Sequence, residues 1–92
     1  MDKVQGLPKA FGKVIAEERV RQGFSQEQLA EAIGSINVYI SLLENGQRQP
    51  SLNAAILLAE SLHITPAELV SRVCAMLGQT TTMQASEANT QA

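Results

Sequence analysis

An all-α fold is what this 92-residue sequence predicts, on three observations. Apolar residues recur at helical spacings of three and four, Ala, Leu, Ile, Gln and Glu are plentiful, and β-branched residues are not gathered into alternating runs. Aromatics are few, with Phe11, Phe24 and Tyr39 alone. A chain this short, 45% hydrophobic, cannot divide its apolar surface between two cores, so residues 1–77 are expected to form one domain.

Five helices follow in order. Pro8 suits a first helical turn, Phe11, Val14 and Ile15 follow at helical spacing, and Gly23 offers a positive-φ stop, giving a helix over about 8–22. Ser25 with Gln28 forms a capping box, and Phe24 can staple onto Leu29, so the second helix starts at about Gln26. Leu29, Ala30 and Ile33 give it one apolar face before the turn at Gly34. The third runs through Ile40 and Leu43 to stop near Gly46, and "NGQRQPS" reads as a loop. Ser51 caps the fourth, with Leu52, Ala55, Ile56, Ala59 and Leu62 expected to face the core and His63 standing at its end. In "TPAE", Thr65 caps the fifth, Pro66 takes its first position, Glu68 closes a capping box and Ile64 can staple to Leu69. This helix is predicted to end near Leu77, before Gly78. Residues 78–92, "GQTTTMQASEANTQA", have little to bury and are expected to form a disordered tail.

Composition narrows the function. A net charge of -2 and a pI near 5.2 argue against the simple attraction of a basic protein to nucleic acid or anionic lipid. The lone Cys74 excludes an internal disulfide framework, and a single His speaks against a metal site. No stretch reaches the roughly 18 apolar residues of a membrane span, and the N-terminus lacks an apolar run of signal-peptide length. A reducing cytoplasm is the expected compartment. Without a convergent acid and base, a Gly-rich phosphate loop or a metal-spaced cluster, no enzyme mechanism suggests itself, and no cofactor or small-molecule ligand is implied.

Two short helices joined by a tight Gly turn are a helix-turn-helix candidate. Such a unit needs a small residue where the helices cross, a Gly in the turn and apolar residues inside the second helix; Ala30, Gly34, Ile40 and Leu43 meet these demands. The stretches "SQEQLAEAIG", "YISLLENGQRQPS" and "LLAESLHITPAEL" together resemble the Cro/repressor-type (Xre) helix-turn-helix family over roughly residues 11–70. That resemblance implies a five-helix domain whose third helix enters the major groove while the second lies across the backbone, as a dimer on a palindromic site. It places Gln26 on a phosphate, Asn37, Val38 and Leu42 at base edges, and Ser41 and Asn45 near the backbone. It pairs Arg19 with Glu44 as a structural ion pair. One departure stands out: the family pattern has an apolar residue and then a capping Ser or Thr after the turn Gly, whereas this chain has Ser35 and then Ile36. A one-residue shift there would rotate the third helix by about 100 degrees.

The third helix carries no Lys or Arg, yet reading does not require them. An Asn37 amide can make two hydrogen bonds to adenine, and Val38 and Leu42 can lie against thymine methyl groups. Holding the polyanion would fall to backbone N–H groups at the helix starts, including Ser25 and Gln26, and to Asn45, Gln47 and Arg48. Tyr39 either bonds a phosphate or covers its neighbours. Lys3, Lys9 and Lys13 offer a further basic edge, and Glu27 and Glu31 are expected on the face turned from DNA. So few cations make one subunit a weak binder, which favours a homodimer engaging two half-sites. Val70, Val73, Cys74 and Leu77 on the fifth helix are the candidate interface; alternatively this face only closes the core, with Cys74 a small buried hydrophobe. The competing function is a helix-turn-helix-fold protein-interaction module, antirepressor or antitoxin-like, with weak or no DNA binding.

Overall fold

Gly6, at φ 77, turns the chain into α1, Leu7–Arg21, where Pro8 occupies the first turn and so forfeits no helical hydrogen bond. The computed structural model describes residues 3–81, and the side chains of residues 3–78. After α1 the chain passes Gly23 at φ 80, and the Phe24 N–H donates back to the Arg19 carbonyl at 3.0 Å. Helix α2, Gln26–Ala32, opens on the predicted reciprocal box: the Gln28 N–H donates to Ser25 Oγ at 3.0 Å and the Ser25 N–H to Gln28 Oε1 at 2.9 Å. Gly34, at φ 70, then allows the sharp turn into α3, Asn37–Glu44.

Helix α4, Leu52–Ser61, is capped by Ser51 Oγ, which accepts from the Ala54 N–H at 3.0 Å. It ends through His63 in the left-handed region, φ 59, with the Ile64 N–H returning to the Ala59 carbonyl. Thr65 Oγ1 caps α5, Pro66–Thr81, by accepting from the Glu68 N–H at 3.0 Å. The Glu68 carboxylate binds Arg72 at 2.8 Å, so an i,i+4 ion pair stands where the second half of a capping box was expected.

The core forms where the five helices converge. Ile15, Leu29, Ile40, Leu43, Leu58, Leu62 and Leu69 are buried to 1% exposure or less, each contributing about 1.5–3 kcal/mol of apolar transfer. Helix α3 packs on α2 and α1, while α5 packs on α1 and α4.

Three expectations are corrected. Leu52 is 75% exposed and Ile56 is also exposed; α4 turns Ala55, Leu58, Ala59 and Leu62 inward, because one helical stripe cannot also include positions 52 and 56. Val73, expected on the outer face of the fifth helix, lies mainly in the core at 5% exposure. Helix α5 does not stop before Gly78 but continues to Thr81, since a Gly inside a helix weakens it without breaking its hydrogen bonding. The tail expected over 78–92 therefore begins helical, and its residues 82–92 lie outside those described.

Candidate nucleic-acid interface

The far end of α3 is fixed from several directions. A Cβ at Gly12 would meet the Leu43 carbonyl oxygen at 2.1 Å and that of Glu44 at 2.9 Å, so only glycine lets α1 lie directly on the last turn of α3. Gly46, at φ 74, lies against Lys9 less tightly, with the Lys9 Cα 3.1 Å from where an added Cβ would stand. Arg19 reaches over with its forked guanidinium: Nε donates to Glu44 Oε2 at 2.7 Å, Nη2 to Oε1 at 3.1 Å, and Nη1 to the Phe24 carbonyl at 2.8 Å. From α2, Gln26 Nε2 donates to the same Glu44 Oε1 at 3.0 Å. The Arg19 and Glu44 side chains are only 15% and 7% exposed. Such a desolvated pair adds little net stability, but losing either partner would strand a charge, so it sets the angle of α3 on α1 and α2.

The near end is bare. Ile36 is the N-cap, with extended backbone (φ -121, ψ 157) and no side-chain cap bond, and Ser35 does not take over that role. Ile36 is 66% and Val38 60% exposed, with Asn37 exposed between them. Asn37 starts the helix, so the Ser35–Ile36 departure removes a cap worth about 1 kcal/mol and produces no shift of register. A shallow recess between α2 and this end is lined by Glu27, Glu31, Ser35, Ile36 and Asn37 among others, so the two carboxylates, expected on the face turned from DNA, stand instead beside the apolar N-cap.

Further along α3, Ser41 and Leu42 are half-buried, and Asn45, Gln47 and Arg48 are exposed in the turn that follows. Tyr39 is half-buried and packs against the core, covering its neighbours, and the Arg48 guanidinium carbon lies 5.8 Å from its ring centroid, within cation–π range. Ser25 is exposed at the start of α2 and Gln26 half-buried behind it. Lys3, Lys9 and Lys13 are all exposed, and the Gly46 contact sets Lys9 beside the turn that carries Arg48.

On α5, Val70 is 55% exposed and Cys74 is exposed, against the expectation of a buried thiol, while Leu77 is half-buried against the core. An apolar groove crosses this side, walled by Leu7 and Phe11 of α1, Leu52 and Ala55 of α4, and Val70 and Cys74 of α5. The α4 wall was missed because Leu52 had been assigned to the core.

Also missed was a buried carboxylate. Glu18, 2% exposed, accepts from Arg21 Nη2 at 2.7 Å, from Gln22 Nε2 at 2.8 Å and from Arg72 Nη1, while Gln22 Nε2 also donates to the Leu62 carbonyl. The Arg21 hydrogen bond chiefly, against the opposing pull of burial and with help from Gln22 and Arg72, lowers the Glu18 carboxyl from 4.5 to about 2. The spacing Glu18, Arg21, Gln22 suggests an ordinary solvated helix face; only the arrival of Arg72, 54 residues later, makes it a junction of α1 with α5.

This arrangement has close relatives. Residues 15–69 match the helix-turn-helix family. The chain is 33% identical over 65 residues to an uncharacterised HTH-type transcriptional regulator, y4dJ, of Sinorhizobium fredii, covering 71% of this chain and 84% of the relative. Among solved structures it is similar to the restriction-modification controller protein C.AhdI from Aeromonas hydrophila, with 40% identity and a TM-score of 0.65 over 67% of this chain and 94% of the other. The clp gene regulator ClgR from Corynebacterium glutamicum shares the fold over 97% of this chain and 92% of its own, with a TM-score of 0.79 at 21% identity.

Proposed function

The chain belongs to the Xre-type helix-turn-helix family of DNA-binding transcriptional regulators, which are not enzymes, and from that premise we propose that it binds a specific palindromic operator as a homodimer. The observation that carries this reading is the contrast along α3: its Asn37–Val38 edge is open to solvent while its opposite side and far end are fastened to α1 and α2.

In this reading α3 enters the major groove. The Asn37 amide hydrogen-bonds an adenine edge, and Val38 and Leu42 lie against thymine methyl groups. Gln26 spends one amide hydrogen on Glu44, and its second is directed at a phosphate. Backbone N–H groups at the starts of α2 and α3 add anion contacts, as do Ser25, Ser41, Asn45, Gln47 and Arg48. Tyr39 supports this set by supplying the ring under Arg48. Lys9, beside that turn, is the nearest helix-one cation.

So few cations give each subunit a small share of phosphate neutralisation, and a second half-site restores affinity through effective concentration. The groove walled by Val70, Cys74 and Leu52, with Val73 at its base, is the surface that meets the second subunit, and Leu77 extends the interface along α5. Neutral chemistry at the reading edge and the acidic net charge favour a protein-interaction module as the one competing reading.

Selection from a random DNA pool separates the two: recovery of a palindrome supports the regulator, and no enrichment even at low salt supports the interaction module. On the selected site, Asn37→Ala is expected to relax preference at one base pair by about 1–3 kcal/mol. Arg48→Ala is expected to weaken all sequences alike and to reduce the salt slope by about one.

A further inference from the structure

We propose that Ile36 is a specificity-determining residue that recognises a pyrimidine 5-methyl group in the major groove, an assignment that rests on α3 being the reading helix. Two-thirds of this side chain is exposed, and it stands directly before Asn37 on the free end of the helix. Nothing in the fold accounts for an isoleucine here. The position is the N-cap of α3, where a hydroxyl or carboxamide would bind a free backbone N–H; Ile36 makes no such bond and is absent from the core cluster.

Its surroundings select the kind of group it meets. Glu27 and Glu31 share its recess and disfavour a phosphate there, and Ile36 itself offers only methyl surface, so the group it meets is an apolar one. In the major groove the apolar group on offer is the methyl at C5 of a pyrimidine, carried by thymine or by 5-methylcytosine at the same place on the ring. A β-branched side chain is stiff at its first torsion and holds its methyl surface in one orientation. Each half-site therefore carries a C5-methylated pyrimidine beside the base pair read by Asn37.

The test uses the purified full chain, the operator it selects, and Ile36→Ser, which restores a capping hydroxyl and so retains the fold. Replacing each operator thymine in turn by deoxyuridine deletes one methyl. Wild-type protein is expected to lose about fourfold affinity per half-site at one position where Ile36→Ser loses nothing, while both proteins respond alike at every other thymine. Selection from unmodified DNA returning thymine at that position assigns the methyl to thymine; a pool methylated at C5 of cytosine that returns cytosine instead assigns it to 5-methylcytosine, and either supports the proposal. Identical deoxyuridine profiles for the two proteins would overturn the role of Ile36 and leave the regulator standing. Failure to select any site would overturn the regulator reading and this inference with it.

Discussion

Glu18 and Arg19 are neighbours in sequence, yet one turns toward α5 and the end of α4 and the other toward α2 and α3, as a rotation of about 100 degrees per residue requires. Each belongs to a cluster built on one nearly buried carboxylate. The Glu18 carboxylate is gripped by two arginines that keep contact with water, with side chains 64% and 36% exposed. The Glu44 carboxylate depends on a single arginine that is itself mostly desolvated. The first cluster joins elements of the scaffold and shares its load between two cations; the second sets the angle of α3 and has no duplicate. A change on the Glu18 side should reach stability alone, whereas a change on the Arg19 side should also reach DNA.

The largest effect tests the α3 side without touching a charge. Gly12→Ala places a methyl against backbone carbonyls that no rotamer change can move aside, and a loss of about 3 kcal/mol or more is expected in urea unfolding. DNA affinity should fall with it, and the acid transition described next should survive in the protein that remains folded.

Next comes the Glu18 side, probed by acid. The folded carboxyl lies below its unfolded value, so its stabilisation is complete above about pH 4.5 and is lost as pH falls toward 2, amounting to about 3 kcal/mol. Glu18→Gln should remove this step from the pH dependence of unfolding while the folded variant binds operator normally at neutral pH. Unchanged acid sensitivity in that variant would dissolve the distinction between the clusters.

Arg19→Lys is a milder probe of the other side. The charge persists but the fork across Glu44 and the Phe24 carbonyl does not, and a loss of about 1–2 kcal/mol in stability is expected. Operator affinity, measured on folded protein, should also fall, which the Glu18 substitution should not cause. Smallest of all is Ile36→Ser at the free end, expected to raise stability by about 0.5–1 kcal/mol in the same unfolding assay by supplying the missing cap.

The five helices were legible because local signals recur along the chain: Ser25, Ser51 and Thr65 cap three of the starts as their spacing predicts, and Gly23, Gly34 and Gly46 all adopt positive φ. The Arg19–Glu44 pair was legible only through family resemblance, since no local pattern links residues 25 apart. What escaped was of two kinds. Glu18 and Gly12 depend on what arrives from distant sequence, and neither a carboxylate nor a glycine within a helix advertises that arrival. Leu52, Val73 and Cys74 depend on the rotation of a helix about its axis, which an apolar-rich stretch leaves open: α4 and α5 carry more apolar residues than one face can hold. Ile36 belongs with the departures from pattern, where the cap rule failed at the residue now assigned to recognition.

The glycine contact between α1 and the last turn of α3 has an evolutionary corollary. Because the helix is mounted from behind its exposed start, residues 36–38 bear almost none of the mounting and can be exchanged as a cassette. Under the proposed function, new operators then come within reach by substitution at a few surface positions, with the architecture inherited intact.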